Sequence, residues 1–169
     1  SPVGGYRRKN VPGAWTISLG SFAGLSGGTE FRFGTYGGRK ETGQVAYLAA
    51  PTLTLPVGID FARGFGTHNL GVFVSAVDPA AYLQYDVTAG ATLPGAQFVT
   101  ALAPGAWLHA SILDSPFTLG LYGVFRPGLR ADTSALTIPG AHALQFGFSA
   151  AVDVTLFDLF SSSSGAFRK

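Results

Sequence analysis

Residues 142–156 read HALQFGFSAAVDVTL, and the strict two-residue period of this run limits the fold more than any other feature of the chain. Leu144, Phe146, Phe148, Ala150, Val152, Val154 and Leu156 fall in one phase; Gln145, Gly147, Ser149, Ala151, Asp153 and Thr155 fall in the other. A helix would scatter these two sets around its circumference, whereas an extended strand sends alternate side chains to opposite faces. The run predicts a strand with one strongly apolar face and one face of small or polar residues.

The same design recurs along the chain. Residues 15–20 alternate Trp15, Ile17 and Leu19 against Thr16, Ser18 and Gly20, and 30–34 set Phe31 and Phe33 against Glu30, Arg32 and Gly34. In 52–62, Leu53, Leu55, Val57, Ile59 and Phe61 oppose Thr52, Thr54, Pro56, Gly58, Asp60 and Ala62. The runs 106–112 and 117–126 repeat it on either side of Asp114-Ser115-Pro116, a turn suited to a hairpin. Residues 70–77 are apolar in both phases and reach Asp78-Pro79, after which 81–87 alternates; 96–102 likewise leads through Pro104-Gly105 into 106–112. Each of these pairs reads as one long strand bent at Pro or Gly, or else as two short strands. The count is seven or eight strands, with loops near 37–43, 88–95 and 131–141.

Helix finds little support, since 24 glycines and 10 prolines recur every few residues. No apolar run approaches the ~18 residues of a spanning helix. A single domain over 1–169 is expected, with 1–13 and 161–169 as flexible ends. Without any Met, an initiator included, Ser1 reads as a processing boundary, the chain as part of a longer precursor, and export as already completed.

Apolar residues make up 47% of the chain and charged residues 12%, about half the usual charged share. A soluble sandwich would place Lys, Glu and Asp on the face opposite its core. Here that phase holds mainly Gly, Ala, Ser and Thr, and strand lysines are scarce. A narrow closed barrel accounts for this: small residues fill the interior and large ones meet a surrounding lipid phase. The band expected to touch lipid is Leu53, Leu55, Val57, Ile59, Phe61, Leu119, Leu121, Phe146, Phe148 and Val152. The charges Glu30, Arg32, Asp60, Arg126 and Asp153, with His109, fall in the inward phase and are expected to form a polar network in the lumen. Arg126 and Asp153 are expected to share one network, which plugs the barrel rather than opening a path.

In the alternation of 52–62, 117–126 and 142–156, and in a final strand ending VTLFDLF, the chain resembles bacterial outer-membrane β-barrel proteins as a class. The resemblance implies an all-β, closed, antiparallel up-and-down barrel of about eight strands in the bacterial outer membrane. Such barrels usually end on an aromatic residue, whereas here nine residues follow Phe160.

No catalytic motif emerges. His68, His109 and His142 lack metal-site spacing and cysteine is absent, so neither a metal nor another cofactor is expected. The stretch GLSGG at 24–28 spells G-x-S-x-G but reads as a turn between strands, without the helix that a nucleophile elbow opens, so no triad is anchored and an enzyme is not expected; a membrane-embedded hydrolase or acyltransferase using His109 with Ser111, or His68, is the residual option. The stretches GLSGG and TYGGRK lack the spacing of phosphate loops and read as turns between strands. The net charge of +2 is too small to imply nucleic acid, and Arg7-Arg8-Lys9 reads as a solvated terminal cluster. The expected role is a membrane anchor or structural component of an envelope complex. Membrane lipid is its partner, with other envelope proteins or further copies of the chain as additional ones. The alternatives are a small transport pore and a soluble lipocalin-like barrel with the same apolar residues turned inward around a ligand.

Overall fold

The computed structural model describes residues 5–36, 39–47, 51–84, 101–127 and 142–162. The chain is all-β. A short helix α1 (Gly5–Lys9) leads into β1 (Trp15–Tyr36), followed by β2 (Arg39–Tyr47), β3 (Thr52–Thr54), β4 (Val57–Gly64) and β5 (Asn69–Val77). A 3₁₀ turn at Pro79–Gln84 precedes β6 (Leu102–Ser111), β7 (Phe117–Pro127) and β8 (His142–Ser162). Every strand pairing is antiparallel.

The topology is organised by β1. One of its edges pairs successively with β4, β3 and β2; the other pairs with β8, from Trp15 opposite Ser162 to Phe33 opposite His142. The ladder then runs β4–β5–β6–β7–β8 and returns to β1. Among the described residues, eight strands therefore occupy six positions around a ring, because β2, β3 and β4 share one position. This is an irregular ring rather than the even eight-strand barrel expected. Following paired residues from Trp15 through Arg63, Leu70, Ala110, Leu119 and Ala150 leads back to β1 at Leu25, ten residues along (from 15 to 25). Such a stagger is the signature of strongly tilted strands.

The differences from the sequence reading have local causes. Residues 15–20 and 30–34 are the two ends of one strand, and GLSGG lies inside it rather than in a turn. Glycine is needed there: a Cβ on Gly28 would collide with the carbonyl oxygen of Phe146 on β8. The run 52–62 is broken at Leu55-Pro56, since Pro56 has no N–H for the ladder and Leu55 N donates to Asp78 Oδ1 at 2.9 Å. Residues 39–43 belong to β2 rather than to a loop. Positions 81–84 lie in the 3₁₀ turn, whereas 85–87, 88–95, 96–100 and 131–141 fall outside the described residues. Ser161 and Ser162 continue β8 rather than starting a loose tail, and residues 5–13 fold against the ring. The turn after β6 does contain Asp114-Ser115-Pro116, with Leu113 and Asp114 at φ of 45° and 50°.

Burial alternates along β4 to β7 and along β8 as far as Thr155, beyond which residues 156–161 are all exposed. The inward face is not filled by small residues alone. Phe22, Phe73, Trp107, Tyr122 and Val124 form a buried cluster across its middle.

Candidate functional site

Two polar clusters lie inside the ring, one on each side of that aromatic layer. The first stands at the α1 end. Asp60 from β4 and Asp153 from β8 converge on Lys9, the last residue of α1, and His109 from β6 backs Asp60. Lys9 Nζ lies 2.7 Å from Asp60 Oδ2, and it donates to both oxygens of Asp153 at 2.7 and 2.9 Å. Asp60 Oδ1 is 2.8 Å from His109 Nε2. His109 reaches β4 only by crossing β5 at Gly71, where a Cβ would sit 2.5 Å from its Nε2.

All four side chains are almost wholly shielded, at 1–2% exposure. Burial alone would pull the Lys9 pKa down. The carboxylates of Asp60 and Asp153 outweigh it and hold the ammonium above its ordinary value of 10.5. Beside this cluster Asn10 Oδ1 accepts from Asn69 Nδ2 at 2.7 Å and from Ser111 Oγ at 3.1 Å. Asn10 Nδ2 donates to Asp114 at 3.0 Å, so residues 9 and 10 close this end of the ring with side-chain bonds to four elements.

The second cluster belongs to the opposite end. Arg126 on β7 donates through Nη2 to Asp78 Oδ2 and through Nε to Gln145 Oε1, each at 2.8 Å. Gln145 Nε2 continues the chain of bonds to Glu30 Oε2 at 2.9 Å. Asp78 also accepts from Ala80 N at 3.0 Å, so it caps the 3₁₀ turn while holding the arginine.

Between the clusters, Phe22 and Phe73 stand 4.6 Å apart by ring centroid, Phe73 and Trp107 5.6 Å, and Trp107 and Tyr122 6.1 Å. These rings come from β1, β5, β6 and β7. Trp107 is two residues from His109 along β6, and Tyr122 four residues from Arg126 along β7. The aromatic layer fills the interval, and little of it is open to solvent.

The structure buries Glu30, Asp60, His109, Arg126 and Asp153 on the inward face; the side chain of Arg32 lies outside the described ones. It divides them into two groups, and Arg126 and Asp153 share no partner among the described residues. Sequence reasoning missed Lys9 and Asp78. A signal for Lys9 existed: the inward strand phase carries Glu30, Asp60 and Asp153 against Arg32 and Arg126, which asks for a cation from elsewhere. Asp78 sat unnoticed in an Asp-Pro strand break. Leu53, Leu55, Ile59, Phe61, Leu119, Leu121, Phe146 and Phe148 are exposed on the outer face, and Val57 and Val152 are half-buried there.

Chemically, the α1-end cluster holds one ammonium against two carboxylates and an imidazole. The Ser111 hydroxyl bonds to Asn10 rather than to His109, and His68 Nδ1 lies 3.4 Å from the Ser111 carbonyl oxygen. No group of His, Cys, Asp and Glu among the described residues is arranged to hold a metal ion. Comparison with known protein families, curated proteins and solved structures finds no match for the chain.

Proposed function

We propose that the ring closes as a transmembrane β-barrel of the bacterial outer-membrane type, and that it serves as a membrane anchor or a structural part of an envelope complex. One observation carries this reading: the fold is inverted. Leu53, Phe61, Val72, Leu108, Leu121 and Phe148 of β3 to β8 are exposed outward, whereas Lys9, Asp60, Asp78, Arg126 and Asp153 are buried inside. In water, each large apolar side chain left exposed forgoes about 1.5–3 kcal/mol of burial. In lipid the same arrangement is the favourable one, because charges facing hydrocarbon are costly and charges in the lumen can pair.

The pairing of β1 with β8 supports closure, since unpaired strand edges in hydrocarbon cost several kcal/mol per backbone group. The aromatic layer supports a sealed lumen over a transport pore. A ligand-binding barrel needs an open apolar cavity, and here the middle of the interior is occupied by the ring's own Phe22, Phe73, Trp107, Tyr122 and Val124.

Two measurements test the reading. The protein is expected to require detergent to stay monodisperse; a monodisperse chain in plain buffer sinks the membrane assignment. Reconstituted in a planar bilayer, it is expected to be silent, and D153N equally so. Steady conductance whose ion selectivity changes in D153N would instead establish a pore.

A further inference from the structure

The α1 end of the ring carries an arginine that the inward clusters do not use. Arg63 is the penultimate residue of β4, faces outward and is exposed. It directly follows the outward apolar row of Ile59 and Phe61 on the same strand. Its guanidinium carbon stands 5.3 Å from the ring centroid of Trp15 and 5.6 Å from that of Phe65. Both rings are themselves more than half exposed, at 54% and 58%.

Among the described residues, two other cations at this end are paired with carboxylates. Arg8 is 2.6 Å from Asp158 Oδ2 and Lys9 is buried between Asp60 and Asp153, while Arg7 donates to the neutral Tyr6 Oη at 3.2 Å. Arg63 has no acidic partner among the described residues. An unneutralised guanidinium, held by two exposed aromatic rings at the margin of an apolar belt, matches the boundary between hydrocarbon and headgroups. There the rings sit among the upper acyl chains and headgroups, and the cation meets phosphate.

We infer that Arg63, Trp15 and Phe65 form a binding site for the phosphate of an anionic lipid headgroup, which fixes the depth and direction of the ring in its membrane. This rests on the membrane reading above. The two rings restrict the guanidinium while leaving its N–H donors free, so the phosphate is met by a pre-positioned fork.

The test uses the full chain in maltoside micelles, which contain no phosphate. Short-chain phosphatidylglycerol is titrated in while the Arg63 Nε–H and Trp15 indole N–H resonances are followed by NMR. Both are expected to shift saturably. In R63Q the Trp15 response should weaken about fivefold, the factor that about 1 kcal/mol per surface cation corresponds to. R63K, which keeps the charge but loses the fork, should fall between. Glycerol phosphate, the same headgroup chemistry without acyl chains, is expected to leave both resonances in place at equal concentration; an equal shift would assign the site to soluble phosphate and overturn the lipid assignment. A micelle-held chain whose resonances ignore the lipid, or whose R63Q variant responds as fully as the parent, overturns this inference alone. A chain that needs no micelle overturns the membrane reading as well.

Discussion

The ammonium of Lys9 lies 2.7 Å from a carboxylate oxygen of Asp153, a residue 144 positions further along the chain. This contact ties the helix that precedes the first strand to the inner face of the last. Removing Lys9 strands the Asp60 and Asp153 carboxylates in a site at 1–2% exposure, whereas removing Asp153 leaves Lys9 paired with Asp60 at 2.7 Å. K9M is expected to destabilise by about 3–5 kcal/mol, D153N by less because the Lys9–Asp60 pair survives it, and the double variant by clearly less than their sum. R126M and D153N lie in separate clusters, so their costs should add to within about 0.5 kcal/mol. Denaturant unfolding in micelles measures both cycles; strong coupling between Arg126 and Asp153 would contradict the two-cluster description.

The raised pKa of Lys9 predicts an alkaline limit. A group with a higher pKa when folded binds its proton more tightly in the folded state. Its contribution is therefore complete below the unfolded value of 10.5 and lost as pH climbs through the raised folded value. Unfolding free energies at pH 9 and pH 11.5 should show a drop in the parent chain that is absent from K9M. An equal drop in both would place the alkaline sensitivity elsewhere.

Gly71 predicts a steric effect without a change of charge. A methyl group there would stand 2.5 Å from His109 Nε2 and 2.9 Å from the Phe61 carbonyl oxygen. G71A is expected to cost about 1–3 kcal/mol by overpacking. Adding H109A should recover part of that cost, the remainder reflecting the backbone oxygen, which cannot withdraw. Thermal unfolding of the single and double variants measures it.

The outer face offers a test independent of the lumen. Leu121 lies in the middle of β7 with about half its surface exposed. L121R is expected to cost about 2–4 kcal/mol when the protein is folded into a bilayer. A change within about 0.5 kcal/mol, the usual result at a water-facing site, would remove the support for lipid contact.

The all-β character was legible because strand side chains have a period of two, and 144–156 keep it without a fault. The number of ring positions was not. Gly24, Gly27 and Gly28 mimic a turn while lying inside β1, and Pro56 splits a single ring position into β3 and β4. Periodicity reports which face a residue takes but not which strands become neighbours. That is why Arg126 and Asp153, on paired strands, nonetheless sit in different clusters. Lys9 was hidden for another reason: a basic run near the start of a chain usually meets water, and only the summed charge of a distant face asks for one of its members.

The pairing of β1 with β8 also orders events in time. Phe33 meets His142 and Trp15 meets Ser162, so this seam spans nearly the whole polypeptide. Chain-closure entropy weighs against such remote pairings, and folds dominated by them form slowly. Until β8 has been synthesised, an edge of β1 from Trp15 to Phe33 stands bare, able to template any other extended segment. The seam that finishes the ring is then the slow step of its assembly, and the interval before it forms is when the chain needs shelter from its own copies.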